Sequence, residues 1–359
     1  MDLKKKVKEL PSSPGVYLMK DSLNTVIYVG KSKNLRNRVG SYFINSKSHS
    51  PKVIKLVKNL KDFDYIITDT EFEAYMLECS LIRKIKPVYN RQMNSPKRYC
   101  YIRIKMDKEF QEMGICYEPE NCDNNLYFGP YRNKNTVEKG LNAIKEHFRI
   151  LCTNSSGNAS GCIKYARNQC IGMCTAEVSK EHYSVFVERT AALLKGTDLT
   201  IIDEMEEKMN AAAASLDFEE AAKLRDNIRV VKQFTGTANI ISFIEHNENI
   251  ALVEPLNNDE FKFFLIRHNK ILFKERYQLS SCGLHELKET IISNILSHFP
   301  SDPRSLSSIE RNEIDEMHII YNYLKNPDGS CKYITIPCKW IKKPDKLSIG
   351  KAVDEVMHI

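Results

Sequence analysis

Residues 14–39 read PGVYLMKDSLNTVIYVGKSKNLRNRV. Two short runs carry mirrored triplets, Gly15-Val16-Tyr17 and Tyr28-Val29-Gly30, and four cations follow at once: Lys31, Lys33, Arg36 and Arg38. β-Branched and aromatic residues dominate both runs, and the polar KDSLN between them is turn-prone, so the stretch predicts a β-hairpin. The basic residues from Ser32 to about Val39 predict a helix with a weak apolar edge at Asn34, Leu35 and Val39. Tyrosines in a hairpin usually pack, and a run such as KSKNLRNR usually forms a solvated face. Together they also suit a phosphate-bearing ligand, because a guanidinium forks onto phosphate and an ammonium adds a point charge.

Working outward, FDYIITDT predicts a third strand, and Thr70 followed by Glu73 makes a capping box for a helix over 71–86. Pro87 stops that helix. Its core stripe runs through Ala74, Leu81, Ile82 and Ile85 at helical spacing. Glu78 falls on the same stripe, where an unpaired carboxylate is costly. Two partners would satisfy it: a lysine or arginine in a buried ion pair, or a divalent metal. Hydrolysis of a phosphodiester needs a metal on a carboxylate, a guanidinium for the developing charge and a group to take the proton of water. Glu78, Arg38 and Lys31, with the phenol of Tyr17 or Tyr28, match those needs. A phenol of ordinary pKa about 10 becomes a base only if a cation or metal holds it near ionisation.

Bulk properties set the frame. The 359 residues are 42% hydrophobic and 28% charged, as in ordinary globular chains of two or three domains. No stretch approaches the about 18 apolar residues of a membrane span, and MDLKKKVKEL lacks the apolar core of a signal peptide, so a cytoplasmic protein with no membrane partner is predicted. The net charge of +7 admits a partner with phosphates. Eleven cysteines without an export signal predict reduced thiols or metal ligands. Four of them, Cys152, Cys162, Cys170 and Cys174, crowd into one short segment and suit an iron–sulfur cluster or zinc.

The predicted organisation is α+β in four parts. Residues 1–91 form a small mixed sheet with flanking helices. Residues 92–178 hold strands at YCYIRIKM and NLYFGPY, a helix from about Asn135 to Phe148, and the cysteine cluster. Residues 179–236 are helical, with Gly196 closing the first helix and Leu216-Asp217 breaking the next two into a hairpin at about 199–234. Phe218, Ala221, Leu224, Ile228 and Val231 give that hairpin one apolar stripe, and Met205, Met209 and Ala212 the facing one. A lone hairpin buries little surface, so the stripe packs on its own domain or awaits a partner. Residues 237–359 form an α/β tail with strands at NIISFIEH, IALVEPL, FKFFLIRH and ILFKERYQL, then helices near 284–298 and 309–325.

The set GVY, YVG, Lys31, Arg38, Tyr42, Glu78 and Asn90 in KPVYN resembles the GIY-YIG nuclease family, in the version that opens UvrC-type excision-repair subunits. Valine stands in both triplets where that family has isoleucine. The resemblance implies that Glu78 holds one Mg²⁺ or Mn²⁺, that Tyr28 assisted by Lys31 is the general base, and that Arg38 stabilises the transition state. It implies that Tyr17, Tyr42 and Asn90 complete the site and that Gly30 permits close approach of the backbone. Lys31, Lys33, Arg36, Arg38, Lys97 and Arg98 would contact DNA. The four cysteines would hold a [4Fe–4S] cluster, with zinc as the alternative. The hairpin resembles the UVR motif and would bind UvrB through Phe218, Ala221, Leu224 and Ile228. The tail's Asp259, Asp315, His268 and His318 match no second-site motif of the family, so one active site is expected, in a shortened, Cho-like relative. Its tail is either a degenerate RNase H-like fold or a distinct module. The implied function is a metal-dependent repair endonuclease cutting on the 3′ side of a lesion. A non-cutting adaptor and a mobile-element nuclease are the alternatives.

Overall fold

The structure, a computed structural model, describes residues 3–44, 49–90, 99–106, 112–120, 124–150, 165, 167, 170–171, 180–246, 249–267, 270–280, 283–300, 314–326 and 331–357. The chain is α+β and divides into two units, residues 1–95 with 243–359 and residues 96–242.

In the first unit, β1 (Gly15–Lys20) and β2 (Val26–Ser32) form the expected antiparallel hairpin, with Tyr17 opposite Gly30 and Val16 opposite Lys31. Asp21 builds the turn by accepting from the backbone N–H of Leu23 and Thr25, while Asn24 takes a left-handed φ of 60°. β3 (Asp62–Ile67) pairs with the other side of β1, giving the order β2-β1-β3. One face of this sheet carries Tyr17 and Met19, which pack with Val7, Leu35, Val39 and Leu56 from α1 (Leu3–Lys8), α2 (Leu35–Ser41) and α3 (Pro51–Asn59). The opposite face presents Val16 and Val29 to Ala74 and Ile82 of α4 (Glu71–Ile85).

The basic segment does not become helical at Ser32. Strand β2 runs through Lys31 and Ser32, and Asn34 caps α2 by accepting from the Asn37 N–H, so the helix begins at Leu35. At α4 the Thr70 hydroxyl accepts from the Glu73 N–H at 3.1 Å. The Glu73 carboxylate reaches back to the Asp69 N–H, one residue before the predicted position. Lys86, at φ 52°, ends the helix ahead of Pro87.

The second unit has a three-stranded antiparallel sheet of β4 (Cys100–Ile104), β5 (Met113–Cys116) and β6 (Leu126–Tyr131) in the order β5-β4-β6. Four helices share its core: α5 (Lys134–His147), α6 (Lys180–Lys195), α7 (Thr200–Ala214) and α8 (Phe218–His246). Gly196 and Leu216 turn the chain between helices with positive φ. The strand expected at 239–246 is the last part of α8. Ile228, Val231, Phe234 and Ala238 are buried at three- and four-residue spacing, and this continuing stripe overrides the β-branched character of the run.

The tail returns to the first unit as an antiparallel sheet of β7 (Asn249–Pro255), β8 (Glu260–Arg267), β9 (Lys270–Gln278) and β10 (Lys332–Ile336), ordered β10-β7-β8-β9. Alternation sends Ala251, Val253, Phe263 and Leu265 toward α9 (Leu284–His298) and α12 (Lys346–Met357), with Ile341 of α11 (Cys338–Lys342) in the same core. Ile250, Leu252, Phe264 and Ile266 face the other way. They meet α10 (Ile314–Leu324) and Phe72 of α4. Helix α4 is thus packed between two sheets.

Candidate active site

Strand pairing assembles the phenols. In an antiparallel pair Tyr17, Tyr28 and the position of Gly30 share one sheet face, and the Tyr17 and Tyr28 rings lie 6.1 Å apart. Tyr42, just past α2, brings its hydroxyl 2.9 Å from that of Tyr17. The two triplet glycines serve different needs. A Cβ at Gly30 would collide with the Tyr17 phenol lying across β2, and a Cβ at Gly15 would collide with the Ile66 carbonyl of β3. Burial pushes the Tyr17 and Tyr28 phenols well above the ordinary tyrosine range, Tyr42 adds to this, and Arg38 opposes it.

The four cations part company. Arg38 stays with the phenols, its guanidinium 5.3 Å from the centre of the Tyr42 ring. Arg36 donates to the Leu10 carbonyl at 2.6 Å, which holds the turn after α1. Lys31 and Lys33 both bind the Glu71 carboxylate, at 3.0 and 2.9 Å, and the Lys31 ammonium sits 3.5 Å over the Tyr75 ring. The Lys31 ammonium is thus engaged by two side chains of α4. Lys31 alternates with Gly30 along β2 and points toward α4, so Arg38 is the cation that favours ionisation of Tyr28.

Glu78 lies on the inner side of α4 as its spacing predicted. Its Oε1 accepts from the Lys31 backbone N–H at 3.1 Å, and it has no ion pair among the described residues. Burial raises its pKa, which the Lys31 and Arg38 charges oppose. Of the two partners the sequence allowed, the lysine or arginine ion pair is not formed by the described side chains. Asn90 makes its contacts with backbone: Oδ1 accepts from the Val29 N–H and Nδ2 donates to the Val29 carbonyl, both at 2.9 Å. It fixes β2 one residue before Gly30. Together Tyr17, Tyr28, Tyr42, Arg38 and Glu78 give phenols, a guanidinium and an uncompensated carboxylate around one end of the hairpin, a set able to move a proton and receive a cation and a phosphate.

Other predicted residues lie apart from this group. Lys97, Arg98, Cys152, Cys162 and Cys174 fall outside the described residues, while Cys170 is buried with no disulfide. Among the described residues no cluster of metal-ligating side chains was found and no helix is long and apolar enough to cross a membrane. The apolar stripe of the helical hairpin divides. Ile228, Val231 and Met205 are in the core of the second unit, and Ala221 and Leu224 are half-buried. Leu216 and Phe218 at the tip are 73% and 66% exposed. Glu71 and Tyr75 escaped the sequence reading, although their spacing from Glu78 on one helix face was a usable signal.

Three family models match the chain: a UvrC-like GIY-YIG domain over residues 13–91, the middle domain of UvrC/Cho excinucleases over 99–193, and the UvrB/uvrC motif over 200–234. UvrABC system protein C of Clostridium beijerinckii is 34% identical over 349 residues, covering 95% of this chain and 56% of the relative. The Clostridium perfringens strain 13 protein of that name is 36% identical over 353 residues, covering 95% and 56%. The chain thus spans just over half the length of these relatives. The GIY-YIG N-terminal endonuclease domain of UvrC from Thermotoga maritima, solved with its catalytic magnesium, is 35% identical, with 25% of this chain and 98% of that chain covered and a TM-score of 0.23.

Proposed function

The chain belongs to the UvrC-like GIY-YIG family, and on that premise we propose that it is a metal-dependent DNA endonuclease of nucleotide excision repair. It cuts a phosphodiester on the 3′ side of a lesion within a UvrB-loaded complex. The observation that carries this reading is the gathering of Tyr17, Tyr28, Tyr42 and Arg38 near Glu78, whose carboxylate has no ion pair among the described residues.

Mg²⁺ or Mn²⁺ fits Glu78, because a carboxylate half-withdrawn from water with one backbone donor has charge left to satisfy. When bound, the cation supplies positive charge to the phosphate oxygens. The chain's own residues do the rest. Arg38 forks onto the phosphate, and Lys31 adds a point charge from β2. Burial keeps Tyr28 protonated while the site is free of DNA, and Arg38 opposes this; the phenol first gives its proton to solvent, and as phenolate its Oη takes the proton of the attacking water. Tyr17 and Tyr42, joined at 2.9 Å, hold the phenols in place, and Asn90 holds the backbone of β2.

The hairpin tip is the partner surface of this reading. Phe218 and Leu216 are exposed apolar residues at the end of two helices rooted in a core, an arrangement suited to a second hairpin such as that of UvrB. Phe218→Ala weakens UvrB capture, read by pull-down or calorimetry; unchanged binding means that the hairpin serves its own domain. The same surface supports the adaptor as the second reading. Cys152, Cys162, Cys170 and Cys174 hold a [4Fe–4S] cluster, tested by iron content after anaerobic purification, with zinc as the competing result.

The deciding assay is cleavage of a duplex with one bulky adduct, loaded with UvrA and UvrB, in Mg²⁺ or Mn²⁺. A single 3′ cut, absent in Glu78→Ala, is expected. No cut together with intact UvrB capture selects the adaptor.

A further inference from the structure

Lysine is a poor catalytic point charge unless something holds it, because four methylenes leave the ammonium many rotamers. Lys31 is held at three points, all from one face of α4. Glu71, Tyr75 and Glu78 stand at i, i+4 and i+7, so they lie one above another on the helix. Glu71 pairs with the ammonium at 3.0 Å, and the Tyr75 ring lies beneath it at 3.5 Å. Glu78 takes the Lys31 peptide N–H at 3.1 Å. The first two contacts fix the charge and the third fixes the strand to the carboxylate.

The geometry points to Glu71 and Tyr75 as positioning residues for the cleavage reaction, holding the Lys31 ammonium at a set place relative to Glu78. This rests on the nuclease reading above. Glu71 is half-buried and anchored in the first turn of α4 behind the Thr70 cap, and Tyr75 packs against Tyr323 of the tail. Tyr75 is thus held from the side away from Lys31, and Glu71 projects from a capped helix turn. The second contact of Glu71, to the largely exposed Lys33, is a surface pair of small worth and does not explain the stack.

Two measurements test the hold separately. In protein labelled with ¹³C at lysine Cε, the Lys31 signal, assigned by Lys31→Arg, is displaced upfield by the Tyr75 ring. It moves to the position of exposed lysines in Glu71→Gln and in Tyr75→Leu, and keeps its displacement in Tyr75→Phe, which preserves the ring face. In the adduct-cleavage assay Glu71→Gln lowers kcat about 10- to 100-fold with KM little changed. Added to Lys31→Ala, it costs nothing further, because its effect runs through that lysine. An undisplaced Lys31 signal in the unaltered protein, or one unmoved by Glu71→Gln, overturns the proposal. So do additive losses in the double variant, or faster cutting by Glu71→Gln, which would make Glu71 a competitor of the DNA phosphate. If the unaltered protein does not cut at all, the nuclease reading fails, and the lysine spectra still decide whether Glu71 and Tyr75 hold Lys31.

Discussion

Helix α4 carries two withdrawn carboxylates less than two turns apart, and they meet opposite fates. The carboxylate of Glu73, 6% exposed, is satisfied three ways: by Lys274 at 2.8 Å, Lys262 at 3.7 Å and the Asp69 N–H. Glu78 has one backbone N–H. A protein that ion-pairs one carboxylate so thoroughly has the means to pair the other. Glu73 ties the helix to the tail sheet, whereas Glu78 has no ion pair among the described residues, which is what the proposed cation site requires.

The sharpest way to break this comparison is to neutralise each in turn. Glu78→Gln keeps the volume and removes the charge, so cleavage falls about a thousandfold, while thermal unfolding shows stability unchanged or improved. If cleavage persists, Glu78 is another structural carboxylate and the contrast disappears. Glu73→Gln does the reverse. It leaves Lys262 with less compensation and costs about 2 kcal/mol, less than a fully buried pair because Lys274 is half exposed. Chemical denaturation reads that loss, and the folded fraction still cuts.

The smallest effect is in the pH dependence. Burial raises the Glu78 pKa in the folded protein above its ordinary 4.5. The stability linked to its protonated form is fully present below 4.5 and is lost as pH rises through the raised folded value. The difference in unfolding temperature between the unaltered protein and Glu78→Gln follows that curve, and millimolar Mg²⁺ reduces it at neutral pH by binding the folded state alone. A flat difference would mean that Glu78 is solvated.

Glu78 was legible in the sequence because a charged residue broke an apolar stripe, and the tyrosines because mirrored triplets flank a turn-prone run, the mark of a hairpin. Glu73 read only as half of a capping box, since the lysines that define its role sit some two hundred residues away in β8 and β9. Local patterns do not reveal which distant charges a fold will bring together. Glu71 was missed for a related reason: an acid in the first helical turn already has an adequate local explanation in the helix dipole. The strand wrongly expected at 239–246 came from weighing eight residues by themselves, when the core stripe of α8 begins far upstream. The split of the hairpin into a rooted base and an exposed tip was also invisible, because one apolar period runs through both.

Asn90 has a consequence for solubility. Strand β2 lies at the border of its sheet, where unpaired backbone groups are a template for any passing strand. The Asn90 amide occupies both hydrogen-bonding groups of Val29, and the Tyr89 N–H takes the Ile27 carbonyl at 3.0 Å. Two residues after a proline thus do the work of a fourth strand and seal the border beside the phenols against self-association.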